Sequence, residues 1–246
     1  MGFVTKWYMA DPHFGHEAAL HWETTPRHFQ STEEMDKAIV DRVNERVGET
    51  DLLFILGDFA VSSDPEYVAH VFNELRGRKV LILGNHDLDS KGRVKAAIAG
   101  LPWDVPPVHA METKDGGKRL YLSHYAHRVW PAGHHGAFHF YGHSHGAIPN
   151  VGRSRDVGID CADMDFGPRR FDELTAGMLE IEDREKHLIS NEIAVAMEDK
   201  AIERWALAQL CKMPEGDLDR LFESDIRSVD VRELRAVLAV LQGVKA

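Results

Sequence analysis

Short apolar runs punctuate this chain, and each ends directly in a polar cluster of metal-capable residues. The clearest is "KVLILGNHD": the run 79–83 stops at Gly84, and Asn85, His86 and Asp87 follow without spacing. Residues 3–10 (FVTKWYMA) lead into "DPHFGH", and residues 52–56 (LLFIL) lead into Gly57 and Asp58. Apolar runs of this length bounded by turn formers read as strands. Helices lie between them. "STEEMDKAIVDRVNERVG" opens with Ser31 and Glu34 in capping-box spacing, repeats Met35, Ile39 and Val43, and stops at Gly48. "DPEYVAHVFNELRG" has Asp64 as cap, Pro65 at the first helical position, Val68, Phe72 and Leu75 as its stripe, and Gly77 at its end.

After a short helix near 91–99 the character changes. Runs at 105–111 and 118–123 flank "KDGG", a hairpin-turn signal. Further strands are expected at 137–141 (AFHFY) and 176–181 (AGMLEI). Strand–helix alternation followed by hairpins predicts an α/β sandwich of mixed sheets. From about residue 187 the pattern is purely helical, with segments expected at 190–211, 217–223 and 229–242. The expected division lies near Asp183–His187, giving an α/β domain over 1–184 and a helical C-terminal extension over 185–246. Trp205, Leu210, Leu234, Leu238 and Leu241 are expected to form a packing face of that extension, with a homo-oligomer contact as the second reading.

The strand ends carry the chemistry. In chain order they supply Asp11 and His13, Asp58, Asn85 and His86, then His124 from "LYLSHY", then His143 and His145 from "FYGHSHG". In extended chain, residues two apart point to the same side about 6.5–7 Å apart, so each Asp-x-His or His-x-His pair can reach one site. Ligands in open α/β sheets bind at strand carboxyl ends, which gives the five ends a common location. Aspartate, histidine and asparagine without cysteine suit Mn, Fe or Zn, and four imidazoles are too many for a magnesium or calcium cage. Seven ligands exceed the need of one tetrahedral ion, so two ions with one bridging carboxylate are expected.

With these motifs in order, the sequence resembles the calcineurin-like metallophosphoesterase superfamily, over roughly residues 5–182. The motifs D-x-H, G-D, G-N-H-[DE], a lone H and G-H-x-H stand here as Asp11–His13, Gly57–Asp58, Gly84–Asp87, His124 and Gly142–His145. "DPHFGH" and "SHY" look most like the small bacterial and phage phosphoesterases. "GDFAVSSD" departs from the Asp-Arg-Gly continuation of phosphoprotein phosphatases. The resemblance implies a four-layer αββα sandwich. It also implies that Asp11, His13 and His145 hold one ion, that Asn85, His124 and His143 hold the other, and that Asp58 bridges. His86 becomes the catalytic histidine, with His16 and Asp87 as supporting residues, and Arg153 and Arg155 as candidate phosphate contacts.

The implied activity is hydrolysis of phosphate esters, diesters before monoesters, by a metal-activated hydroxide attacking phosphorus in line, with His86 assisting. Two ions contribute +4, Asp11 and Asp58 return −2 and a hydroxide −1, leaving a site attractive to a phosphate anion within a chain of net charge −11. The two alternatives are a nuclease acting on polynucleotide and a catalytically silent scaffold. The acidic balance disfavours nucleic acid, so the expected substrate is a small phosphate ester, nucleotide-derived ones included. Cys161 and Cys211 make neither a disulfide framework nor a thiolate zinc site. No run reaches the ~18 apolar residues of a membrane span, and "MGFVTKWYMAD" lacks a long apolar stretch, so the expectation is a cytoplasmic protein.

Overall fold

The computed structural model describes residues 4–23, 27–223 and 229–243. Position 3 of the first expected strand and residues 24–26 lie outside the described residues. In chain order the elements are β1 (Lys6–Met9), α1 (Thr32–Arg46), β2 (Leu52–Ile55), α2 (Pro65–Glu74), β3 (Arg78–Leu81) and α3 (Ala96–Ala99). Then follow β4 (Ala110–Asp115), β5 (Lys118–Ser123), β6 (Phe138–Tyr141), β7 (Ser154–Asp156) and β8 (Arg169–Arg170). The helices α4 (Phe171–Asp199), α5 (Arg204–Cys211), α6 (Glu215–Glu223) and α7 (Val231–Gly243) complete the chain.

Two four-stranded mixed sheets form an αββα sandwich. The first has order β3-β2-β1-β8, with Tyr8 opposite Phe54 and Phe54 opposite Val80 in parallel register, and β8 antiparallel on the far edge of β1. The second has order β4-β5-β6-β7: β4 and β5 form an antiparallel hairpin across Gly116–Gly117, and β5-β6-β7 are parallel. Parallel neighbours need crossover connections, which α1 and α2 supply in the first sheet. The Ser31 hydroxyl accepts from Glu34 N, and Asp64 accepts from Glu66 N, so both predicted caps are in place. Met35, Ile39 and Val43 of α1, Val68 and Phe72 of α2 and Leu75 at its C-terminal cap are buried as their spacing predicts. Between the sheets, Tyr8 stacks on Phe54 at 5.2 Å and meets Phe140 edge-on at 5.3 Å, while its hydroxyl donates to Asp115. Beyond the strands, Ala10 N donates to Val157 O and Ile159 N to Ala10 O, which stitches one sheet to the other beside the polar loops.

The chain divides into two compact units, Met1–Thr175 and Ala176–Ala246. The strand expected at 176–181 is helix: Phe171, Leu174 and Met178 are buried at helical spacing, a period that a six-residue window is too short to separate from a strand. In the second unit, Ile193, Leu207, Leu218, Leu234 and Leu241 form a fully buried cluster with Leu238 packed against it. Trp205 and Leu210 are exposed, contrary to expectation. The expected helix 190–211 breaks at residues 200–203, where Ala201 adopts positive φ, and the break resets the phase of the stripe. Among the described residues no helix is long and apolar enough to cross a membrane.

Candidate metal centre

The loops after β1, β2, β3, β5 and β6 converge, and their backbones do so in an unusual conformation. Asp11, His13, Asp58, His143 and His145 all have positive φ, between 49° and 67°. Left-handed backbone costs a non-glycine residue roughly 1–2 kcal/mol, and such residues cluster at functional sites. The i,i+2 pairs therefore converge by turning sharply rather than by lying in extended chain, which corrects the geometry expected from the spacing. Backbone bonds hold the turns: Asp11 N donates to Gly57 O, His13 N to Asp58 O and Phe14 N to Phe59 O. Two glycines allow the loops to close. A Cβ on Gly57 (φ +96°) would lie 2.7 Å from His124 Cγ, and one on Gly84 would lie 2.6 Å from Asp58 N.

Three groups of potential ligands result: Asp11 with His13 and His145, Asp58 with His124 and His143, and His13 with Asp58 and His86. In each, one ligand atom per residue lies within 4.8 Å of the others. Asp58 Oδ2 sits 3.5 Å from His13 Nε2 and 3.5 Å from His124 Nε2, while Asp58 Oδ1 accepts from His86 N at 2.7 Å. Asn85 Oδ1 lies 3.1 Å from His124 Nε2. The structure thus brings together all seven residues expected to hold metal, with His86 beside them.

The residues fit a cation site on their own terms. Asp11 Oδ1 and both ring nitrogens of His13 are buried without a hydrogen-bond partner, a state that ordinarily costs about 1–3 kcal/mol per group. Burial, then the neighbouring Asp58 and Asp156, pushes the Asp11 carboxyl well above the usual carboxylate range. Burial, then the Arg27 guanidinium, holds the His13 imidazole neutral, and burial also lowers His124 and His16. Crowded carboxylates and neutral imidazole lone pairs are unfavourable alone and favourable around a divalent ion.

Behind these groups stand residues that the sequence reading missed or left open. Asp87 is fully buried and accepts from Asp58 N, Phe59 N and Gly84 N at 2.8–2.9 Å, so it ties the second loop to the third. Burial pushes its carboxyl up to about 7, against those three donors. Asp156 accepts from Gly146 N, Gly158 N and the Ser144 hydroxyl, holding the His143–His145 turn. Asp160 accepts from His145 Nδ1 at 2.7 Å and pairs with Arg27, the largest fully buried side chain. These carboxylates were absent from the sequence-level charge count, and the charge of Asp160 is balanced by Arg27. Asp87 belongs to the Gly84–Asp87 motif, whereas no motif marks Asp156 or Asp160, whose partners at His145, Gly146 and Arg27 lie 10 or more residues away.

Around the rim, the Trp22 ring meets His13, His16 and His145 at 4.7–5.4 Å, and His16 lies 5.3 Å from His13. Tyr125, 47% exposed, packs edge-on against His143 and His124. Arg153 and Arg155 are committed to structural partners. Arg155 is buried and donates to Asp163, Leu174 O and Asp156 O, while Arg153 donates to Gly136 O and lies over Phe138. Their guanidinium groups fasten β7 and its surroundings, which the sequence reading of them as phosphate contacts did not foresee.

No family model matches the chain. An uncharacterized protein of Methanocaldococcus jannaschii is 34% identical over 80 residues, so the alignment spans 32% of this chain and only 44% of that curated relative. Among solved structures, a protein of unknown function from Aquifex aeolicus superposes with a TM-score of 0.53 at 21% identity, over 71% of this chain and 99% of that one. That likeness shows a shared fold. A phosphoesterase from E. coli aligns at 16% identity with a TM-score of 0.38, over 63% of this chain and 78% of that one, too slight a likeness to carry an argument.

Proposed function

We propose that this protein is a metal-dependent hydrolase of phosphate esters, with phosphodiesters preferred over monoesters. The observation that carries the reading is Asp58, whose Oδ2 is equidistant, at 3.5 Å, from a histidine of each ligand group. On this reading Asp11, His13 and His145 hold one ion, Asn85, His124 and His143 hold a second, and Asp58 serves both. Two bound ions of the Mn, Fe or Zn type supply Lewis acidity toward phosphoryl oxygens and lower the pKa of bound water from 15.7 to about 7.

The chain's own residues do the rest. His86 is tied through its backbone N–H to Asp58, and its ring lies 5.0 Å from that of His13. On this reading it hydrogen-bonds a phosphate oxygen or protonates the departing alkoxide. Asp87 keeps Asp58 and the Gly84–His86 loop in register. Trp22 and Tyr125 border the site on opposite ligand groups. A singly charged diester is favoured over a doubly charged monoester, because the guanidinium groups of Arg153 and Arg155 are engaged elsewhere.

The test is hydrolysis of bis-p-nitrophenyl phosphate and p-nitrophenyl phosphate by chelator-stripped protein, before and after adding Mn²⁺. Stripping should abolish diester cleavage and Mn²⁺ should restore it. Unchanged activity without metal would remove the proposal, and faster monoester cleavage would remove its substrate preference.

A further inference from the structure

Arg27 is a cation buried to 0% exposure, 16 residues past Asp11 in sequence, and no step of the proposed reaction uses it. All five of its N–H donors have a partner direction. Nε and Nη2 donate to the two oxygens of Asp160 at 2.8 Å each. Nη2 also donates to Asp11 O and Nη1 to Pro12 O, both at 2.6 Å, and Nη1 points at Met35 Sδ at 3.8 Å. The guanidinium plane lies 5.2 Å from the Trp22 ring, which itself packs on His13, His16 and His145.

Asp160 completes the connection. Its two oxygens each accept a 2.8 Å bond from the buried Arg27, a bidentate ion pair that keeps the carboxylate ionised. An ionised carboxylate only accepts hydrogen bonds, so His145 Nδ1, at 2.7 Å, must carry the proton. The imidazole is then the tautomer whose Nε2 lone pair is free. By contrast, His124 Nδ1 meets a backbone carbonyl, Leu56 O, at 2.8 Å. Carboxylate anchoring behind a ligating histidine orients the ring and raises its basicity more than a carbonyl does. The two ligand groups therefore have unequal backing.

We propose that Arg27 and Asp160 are positioning residues for the ion held by Asp11, His13 and His145, an inference that rests on the two-ion reading above. Asp160 fixes the tautomer and aim of His145. Arg27 neutralises Asp160 and, through the carbonyls of residues 11 and 12, clamps the left-handed turn that presents Asp11 and His13. One buried cation thereby aligns all three ligands of one ion and touches none of the second ion's ligands directly.

The experiment is Mn²⁺ titration of the stripped, full-length chain, comparing wild type, Asp160→Asn and Ser154→Ala. The last is a control, since Ser154 supports only the buried, non-ligating His139. Wild type should bind two ions. Asp160→Asn should weaken one ion by about 10–100-fold and leave the other within a factor of about two, and Ser154→Ala should change neither. Wild type binding fewer than two ions would refute the two-ion reading itself. Two ions in both wild type and Asp160→Asn, at equal affinities, would overturn only the positioning proposal, as would equal weakening of both ions. Should Asp160→Asn fail to fold, ¹⁵N NMR of wild-type His145 decides: a proton on Nδ1 supports the proposal, and a proton on Nε2 overturns it.

Discussion

Replacing Gly57 by alanine probes how the loops close upon one another. The added Cβ would lie 2.7 Å from His124 Cγ, closer still to Nδ1, and 2.9 Å from Gly84 Cα. Real Cβ contacts under 3.0 Å are essentially unknown, so the His124 ring or the Gly84 backbone must move by several tenths of an ångström to over 1 Å. His124 is pinned by Leu56 O and faces Asn85, so its displacement misaligns one ligand group. Gly117→Ala is the matched control: Gly117 also has positive φ (+75°) but has nothing within 4 Å of the added atom. Both substitutions carry about 1–2 kcal/mol of left-handed strain, and Gly57→Ala adds roughly 1–3 kcal/mol of overpacking. At about 2–4 °C per kcal/mol for a chain of this size, Gly57→Ala should melt roughly 2–12 °C below Gly117→Ala. Its diester hydrolysis should fall on the order of 100-fold, the effect of a misplacement near 1 Å. Thermal melts and turnover of the two variants side by side are the assay. Equal melting points and equal rates would refute the argument that Gly57 is there to let His124 approach.

Two further outcomes follow from the site. Asp58→Asn should lose ion binding at both positions, whereas His86→Ala should keep both ions and lose turnover by about 10²–10⁴-fold; metal analysis by mass spectrometry beside kinetics separates them, and ion loss in His86→Ala would contradict its role. Asp36, buried beneath Gly15 and Tyr67, has its carboxyl pushed up to about 7 by burial. The folded state therefore holds a proton from about pH 4 to 7 that the unfolded chain releases, and stability falls as pH rises through that window. Asp36→Asn stays neutral, so its stability relative to wild type should improve between pH 5 and 7.5 in urea unfolding with chelator present; a pH-independent difference would contradict the assignment.

Much of the sandwich was legible because its signals are local. Ser31, Asp64 and Pro65 mark helix starts, and the runs at 52–56 and 79–83 can only be buried. What escaped was structure whose cause is distant. β7 reads "SRD", three polar residues that are nonetheless buried, because Arg155 and Asp156 find partners eight to twenty residues away or at the neighbouring turn. The convergence of the candidate ligands was readable from their spacing, although the physical reason differs: Asp11, His13, His143 and His145 turn through left-handed backbone instead of alternating along strands. Arg27 and Asp160, 133 residues apart, left no trace in sequence. A lone arginine and a lone aspartate look like solvated surface until the fold places one against the other.

Asp58 is proposed to stand between two ions. Crystals grown with Mn²⁺ and measured at the manganese absorption edge test it most directly. Two anomalous peaks are expected, one against Asp11, His13 and His145 and one against Asn85, His124 and His143, with an Asp58 carboxylate contact to each. A single peak, or two peaks of which Asp58 touches only one, would contradict it.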